Sequence, residues 1–223
     1  SLNDDPDNLK TGVSNSLTQY SRSIDVNKFG GRFKYSKVTC LIDSVDSSIT
    51  SNITLVTIRR NLKAVLGQFA QYEVCFGNMF HTQESAYNVV STGFTIEGVT
   101  GTVYLADEVI NREKGRIFFF TYTEGSTPNI VKKNAGTVDY MTGEVLIDTV
   151  NILSTSITND VIEIQAIPHS NDIVGLRDLY VKFDMTNTTI NMIQDLIASG
   201  ENTSGSRFVH THSYYTPTFT RKS

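Results

Sequence analysis

Residues 135–148, Ala-Gly-Thr-Val-Asp-Tyr-Met-Thr-Gly-Glu-Val-Leu-Ile-Asp, carry the most informative local pattern in the chain. Apolar side chains alternate with polar ones at period two on both sides of a short Met-Thr-Gly turn. Gly143 stands where such a turn favours a positive φ angle, which glycine adopts without steric cost. The stretch therefore predicts a tight antiparallel β-hairpin, with Val138, Tyr140, Val145 and Ile147 at the alternating apolar positions.

The same type of pattern extends outward from the hairpin over residues 93–168. Residues 99–106, 116–123 and 161–167 are rich in β-branched and aromatic side chains. Residues 108–115 are short and charged and predict a polar connection. This region predicts an antiparallel β meander or small sandwich.

The flanking regions mix helical and strand patterns. Apolar residues recur at three- and four-residue steps over 32–49, which predicts a helix. Both faces of residues 53–58 are partly apolar, which predicts a central strand that pairs with 69–80. After Pro168, the pattern predicts a strand at 179–183, a helix at 189–199 that ends before Gly200, and a final strand at 207–215.

Together these patterns predict a strand-rich α+β fold with two or three helices. An α-β unit formed by residues 31–92 and 169–223 is split by an inserted antiparallel β subdomain, residues 93–168. Residues 1–30 are polar and show no apolar face, so we expect an N-terminal arm or linker. The 223 residues suffice for a sizeable core, to which 12 Phe and 10 Tyr contribute much of the apolar area.

Charge and composition restrict the class of partner. The net charge of −4 argues against nucleic acid as the main partner, and the paired basic residues, such as Arg59-Arg60, fit a solvated surface. No run of about 18 apolar residues exists, so we expect no membrane span. Only 19% of residues are charged, and such a surface is readily covered by a protein partner. We expect Cys40 and Cys75 to be reduced thiols in the core.

Motifs for chemistry are mostly absent. Gly93-Phe-Thr-Ile-Glu-Gly98 has the glycine spacing of a phosphate loop but lacks the Lys-Ser/Thr that must follow. His210 and His212 share a strand face at period two and form a remote candidate metal pair, with His169 or His81 as a third ligand. We expect no metal, no cofactor and no small-molecule substrate. A hydrolase using a carboxylate pair is a minor alternative; its candidate carboxylates are Asp43, Asp46, Asp148, Asp178 and Asp184.

Residues 116–123, Arg-Ile-Phe-Phe-Phe-Thr-Tyr-Thr, place bulky apolar groups on both faces of one strand. Phe118, Phe120 and Tyr122 point to one face, and Ile117, Phe119 and Thr121 point to the other. One interpretation is a central strand between two layers of core. The other is that Phe118, Phe120 and Tyr122 contact a neighbouring subunit.

The hairpin resembles a known family when it is combined with two further segments. These are Asp-Ser-Val-Asp-Ser-Ser-Ile-Thr-Ser-Asn-Ile-Thr-Leu-Val-Thr-Ile-Arg-Arg (43–60) and Leu-Arg-Asp-Leu-Tyr-Val-Lys-Phe-Asp (176–184). In this order, and from about Gly30 onward, the chain resembles the C-terminal half of the baseplate wedge protein of contractile-tailed bacteriophages, in the baseplate J-like family. The family protein is longer, so we expect this chain to be a fragment.

The resemblance implies a structural role and no enzymatic activity. Copies would pair, and pairs would join with other wedge proteins into a ring around the tail tube that holds the baseplate together through its conformational change. The location implied is the virion tail baseplate, with host cytoplasm as the place of assembly. The alternative is a carbohydrate- or receptor-binding β module of a tail or adhesin, although the chain has no Trp to stack on sugar rings.

Overall fold

The computed structural model describes residues 5–82, 87–123, 127–193, 207–211 and 218–222. The described part is α+β and strand-rich with two helices, as the sequence predicts. Two compact units can be distinguished: unit 1 comprises residues 1–54 and 177–223, and unit 2 comprises residues 55–176. The division into subdomains 31–92 with 169–223, and 93–168, stays a proposal.

The elements in chain order are α1 (Pro6–Ser21), β1 (Arg32–Phe33), α2 (Tyr35–Asp43), β2 (Ile58–Lys63), β3 (Phe69–Cys75), β4 (Val90–Ser91), β5 (Phe94–Ile96), β6 (Val103–Val109), β7 (Lys114–Thr121), β8 (Asn129–Asp139), β9 (Glu144–Thr155), β10 (Val161–Ala166), β11 (Ile173–Val174), β12 (Arg207–Thr211) and β13 (Thr218–Lys222). A short 3-10 turn, Thr158–Asp160, precedes β10.

Helix α1 occupies most of the segment predicted to be an arm. Asp5 caps its N-terminus by accepting a hydrogen bond from the backbone N of Asp7, and Pro6 stands at the first helical position, where no N–H is needed. Val13, Leu17 and Tyr20 follow at helical spacing and are buried. The prediction that residues 1–30 lack an apolar face is therefore wrong.

Helix α2 is shorter than the predicted helix at 32–49, and Val38 is its buried residue. Cys40 is exposed and Cys75 is half-buried, so the predicted core position of Cys40 is wrong. Neither forms a disulfide in this structure, and their reduced state stays a prediction. Three aromatic rings of unit 1 lie close together. The Phe33 ring lies 6.3 Å from the Tyr20 ring and 5.7 Å from the Phe183 ring, measured between centroids.

The strand predicted at 53–58 begins only at Ile58. Ile53 and Leu55 are exposed, and the Asn52 side chain is tied instead to Thr39 O and to Asp43 near the end of α2. Within the described sheet, β2 pairs with β10 alone, so its predicted central position is wrong. β3, the predicted partner of β2, pairs with β9.

Unit 2 is built around a closed ring of five antiparallel strands. β6 pairs with β7, β7 with β8, β8 with β9, β9 with β5, and β5 with β6 again. A branch of β4, β10 and β2 extends from β6. Apolar side chains fill the interior, and the largest fully buried ones include Leu105, Ile117, Phe119, Tyr140 and Ile152.

The predicted hairpin at 135–148 is confirmed as the β8–β9 turn. Val138 lies opposite Val145, and both are buried together with Tyr140 and Ile147. Gly143 has a φ angle of 70°. A Cβ atom on Gly143 would stand 2.1 Å from the carbonyl oxygen of Asn78, so this turn requires glycine for space as well as for conformation.

The region after residue 176 differs from the prediction. Residues 179–183 form no regular strand, although Tyr180 makes an isolated antiparallel bridge with Phe29. Residues 189–193 are not helical, and the remainder of the predicted helix at 189–199 lies outside the described residues. The strand predicted at 207–215 is present as β12 and pairs with β13, which follows it, so β12 is not the final strand. Residues 212–215 of the prediction lie outside the described part.

Candidate assembly surface

Strand β7 has apolar side chains on both faces, and both faces are covered within the chain. Ile117 and Phe119 belong to the main core of unit 2. Phe118 and Phe120 form a second small cluster with Ala106, against the rings of Tyr87 and Tyr104. This arrangement matches the interpretation of β7 as a strand between two apolar layers.

The three proposed contact residues on β7 therefore differ in accessibility. Phe118 and Phe120 are 3% and 2% exposed, whereas Tyr122, just after the strand, is 40% exposed. Burial within one chain leaves Phe118 and Phe120 no free surface for a neighbour. Contact between this face and a second subunit stays a prediction, and Tyr122 is the residue of the three that could make it directly.

An exposed aromatic pair lies in unit 1, where sequence reasoning predicted no site. Phe29 and Tyr180 are 60% and 56% exposed, and their ring centroids are 4.0 Å apart. The backbone fixes this pair: Phe29 and Tyr180 form a β-bridge, and Gly30 N donates a hydrogen bond to Leu179 O. The two rings are tilted to one another by 49°. Water-exposed aromatic rings held by backbone contacts are the type of group that anchors protein interfaces.

Basic residues are concentrated around Phe29 in the sequence. Residues 22–37 hold five basic residues and one acidic residue, Asp25. The pKa of the Asp25 carboxyl is lowered by the hydrogen bond and charge of Lys37, with smaller contributions from the charges of Lys28 and Lys34. The Lys37 ammonium lies 2.6 Å from Asp25 Oδ2, and the same contact raises the pKa of Lys37.

The remaining cations are not neutralised in this way. Lys28, Arg32 and Lys34 are exposed and make no ion pair within the described residues. We call Lys28, Phe29, Arg32, Lys34 and Tyr180 the aromatic–basic surface. Its signal in the sequence was the density of Lys and Arg between residues 22 and 37; the contribution of Tyr180 is visible only in the fold.

Unit 2 presents a surface of opposite charge on the outer face of strands β3, β9 and β8. Glu73, Asp139 and Glu144, together with Thr137 and Leu146, line a shallow depression of about 260 Å³. Asp148 follows Leu146 on the outward side of β9 and is exposed. We call Glu73, Asp139, Glu144 and Asp148 the acidic face.

Backbone hydrogen bonds favour the charged form of Asp139 in the acidic face. Asp139 Oδ1 accepts hydrogen bonds from the backbone N of Met141 and Thr142, which lowers the pKa of Asp139. Lys114 lies opposite Asp139 on β7 and offsets part of this charge. Glu144 accepts a hydrogen bond from the Cys75 thiol; burial is the main cause of the raised pKa of Cys75, and Glu144 adds to it.

A buried carboxylate lies inside unit 2, but its environment is that of a structural link. Asp107 is fully buried; its Oδ1 accepts hydrogen bonds from the backbone N of Asn88 and Val89 at 2.6 and 2.8 Å, and its Oδ2 accepts one from Tyr140 Oη. Burial raises the pKa of Asp107, and these hydrogen bonds oppose the rise. With both oxygens satisfied and no exposure to solvent, Asp107 is placed to hold chain segments together.

Two of the carboxylates considered for hydrolysis accept hydrogen bonds in local turns, and Asp43 accepts one from the Asn52 side chain. Asp46 accepts from the backbone N of Ser48, and Asp184 accepts from that of Thr186. No group of three or more His, Cys, Asp and Glu in the described part of the chain is arranged to hold a metal ion. His210 lies in β12, whose backbone alone is described, and His212 lies outside the described residues. The backbone N of His81 donates to Ile167 O, and that of His169 donates to Met79 O.

A known family model matches the segment of the chain that contains helices α1 and α2 and the basic residues between positions 22 and 37. Residues 1–61 match the family described as baseplate structural protein gp6, C-terminal domain III. The match confirms the resemblance to the C-terminal region of a baseplate wedge protein. It supports a structural role in a phage baseplate, and with it a place in the virion tail, rather than catalysis.

The gp6-like segment differs in position from the segments that suggested the family. It includes residues 43–60 and also the first thirty residues, which the resemblance from Gly30 onward had left out. The hairpin at 135–148 and residues 176–184 lie outside it. Among curated proteins, none matches the chain. No helix in the described residues is both long and apolar enough to cross a membrane.

Proposed function

We propose that this chain is a structural component of a bacteriophage tail baseplate. It self-associates, first as a dimer and then as a ring around the tail tube, and binds other wedge proteins. It is assembled in the host cytoplasm and acts without substrate or cofactor. The match of residues 1–61 to baseplate structural protein gp6, C-terminal domain III, is the observation that carries this proposal.

The mechanism proposed is mechanical. A baseplate component must hold its neighbours in one arrangement before tail contraction and permit another afterwards, which requires contacts whose free energies differ between the two states. A chain with two compact units can supply separate contacts from each unit. The exposed Phe29–Tyr180 pair lies partly within the gp6-like segment and offers an anchor for one of these contacts.

The test is co-assembly of the full chain with the other wedge proteins of its phage, followed by size-exclusion chromatography with light scattering and by electron microscopy. The expected result is a defined complex that contains this chain in fixed stoichiometry. Replacing Phe29 and Tyr180 together by Ser should weaken the complex, since anchor residues each contribute on the order of 2 kcal/mol or more to an interface.

A matched control removes equally exposed apolar groups elsewhere. Ile130→Ser with Leu153→Ser changes two half-exposed side chains of unit 2 and should leave the complex intact. Failure of the unmodified chain to enter any complex with wedge proteins, while it binds glycans as a monomer, would contradict the structural role and favour the receptor-binding alternative.

A further inference from the structure

Charge is unevenly distributed along the chain. The gp6-like segment has its basic side chains concentrated at residues 22–37, whereas unit 2 holds thirteen acidic and eight basic residues. The aromatic–basic surface and the acidic face are therefore oppositely charged surfaces carried by the same polypeptide. Complementary charge on two surfaces guides the encounter of proteins and fixes their relative orientation.

Resting on the proposed self-association, we propose that the aromatic–basic surface of one copy docks on the acidic face of a second copy. Lys28, Arg32 and Lys34 would pair with the carboxylates of the acidic face, of which Asp139 is already partly offset by Lys114. The exposed rings of Phe29 and Tyr180 would cover Leu146, the apolar residue of that depression. The contact thus has an apolar centre and a charged rim, the usual anatomy of a specific interface.

A second copy fits these observations better than nucleic acid does. Binding to phosphate backbones depends on an extended basic groove, and the aromatic–basic surface holds three unpaired cations on a chain of net charge −4. The aromatic pair, in contrast, requires an apolar counterpart, which the acidic face contains in Leu146.

The proposed contact joins two different surfaces, so it is heterologous. After one such contact, each of the two copies still carries one unused surface, the acidic face on one copy and the aromatic–basic surface on the other. Heterologous contacts repeat until a ring closes, or continue as a filament when it does not. A ring built from dimers requires one contact within each dimer and a second contact between neighbouring dimers. The proposed contact would be one of these two.

The test is sedimentation velocity of the full chain over a wide concentration range at two salt concentrations. Raising the ionic strength from about 0.1 M to about 1 M shortens the Debye length from about 10 Å to about 3 Å. We expect the association constant to fall at least about tenfold over this range. Lys28→Glu with Lys34→Glu, and separately Glu73→Lys with Asp148→Lys, should each weaken association by at least about tenfold at low salt.

Mixing the two reversed variants provides the decisive measurement, because each then carries the charge that the other lost. The mixture should associate more strongly than either variant alone. The control Arg112→Glu with Lys133→Glu has the same change in net charge, at exposed positions of unit 2 outside the acidic face, and should not weaken association. Circular dichroism verifies that each variant is folded. If Lys28→Glu with Lys34→Glu is unfolded, Lys28→Ala with Lys34→Ala replaces it and should also weaken association.

Two results of the sedimentation experiments would overturn the inference, and a DNA-binding measurement could supply a third. One is a chain that stays monomeric at low salt at every concentration; the other is self-association that neither charge reversal alters. Preferential binding of DNA through Lys28 and Lys34 would assign the surface to another class of partner and also contradict it. The proposed baseplate role is tested separately by co-assembly with wedge proteins, so it survives if that complex forms while the charge variants have no effect.

Discussion

Tyr140 donates a hydrogen bond from its hydroxyl to Asp107 Oδ2 at 2.7 Å, between two residues that are both completely buried. The other carboxylate oxygen binds the backbone at Asn88 and Val89. Asn88 in turn donates to Ile167 O and accepts from Ile167 N. Asp107 and Asn88 therefore join the hairpin tip, strand β6 and the chain after β10 into one polar link inside an apolar unit.

Tyr140→Phe should lower the free energy of unfolding by about 1–3 kcal/mol, because it removes the partner of a buried carboxylate oxygen without changing the packed volume. Urea denaturation followed by circular dichroism measures the change. Tyr180→Phe removes a hydroxyl from an exposed ring and should change stability by less than about 0.5 kcal/mol. Equal effects of the two substitutions would show that the hydroxyl–carboxylate bond contributes nothing.

The raised pKa of Asp107 predicts a specific pH dependence. An unfolded chain releases the Asp proton near pH 4, whereas the folded chain retains it to higher pH, so stability from this group is complete at low pH and is lost as pH rises through the folded pKa. The stability of the parent relative to Asp107→Asn should therefore decline as the pH rises above about 4, the pKa of the unfolded chain. Parallel denaturation curves at several pH values measure this difference, and a difference that grows with pH would contradict the assignment.

Gly143→Ala should destabilise the chain by more than about 3 kcal/mol, because it combines a left-handed φ angle with a Cβ placed against Asn78 O. Gly67 offers a matched control, since its φ angle is also 70° but no atom lies within 4 Å of the Cβ position. Gly67→Ala should cost only the conformational strain, about 1–2 kcal/mol. Thermal unfolding of both variants separates the two contributions, and indistinguishable melting temperatures would rule out the steric one.

Leu17→Ala tests whether α1 belongs to the folded core. Leu17 is 3% exposed, so truncation should cost about 2–5 kcal/mol through lost burial and the cavity left behind. Ile24→Ala, at a side chain that is 78% exposed, should cost less than about 0.5 kcal/mol. Chemical denaturation measures the free energy of unfolding of both variants. A negligible change for Leu17→Ala would indicate that residues 6–21 are an arm outside the folded core.

The sequence predicted local features better than features that depend on distant partners. The β8–β9 hairpin was predictable because alternation and one glycine specify it within 14 residues. The helix α1 was missed although Asp5-Pro6 and the spacing of Val13, Leu17 and Tyr20 are both helix signals; the polar composition around them concealed the pattern.

The candidate surfaces were less accessible to sequence reasoning. Phe118 and Phe120 resemble contact residues in a strand pattern, and only the positions of Tyr87 and Tyr104 show that the chain covers them itself. The aromatic–basic surface depends on the bridge between Phe29 and Tyr180, which are 151 positions apart in the sequence. The acidic face likewise requires the register of β3 on β9, which no local pattern specifies.

Closure of the ring formed by β5 to β9 limits strand exchange wherever copies of the chain come close together. Each of these five strands has partners on both sides over at least part of its length, which leaves less free backbone ladder for an identical strand from a neighbour to invade. Exchange of strands between copies would first require the ring to open, which breaks several ladders at once. Closure therefore keeps each copy a separate folded body where local concentration would otherwise favour entanglement.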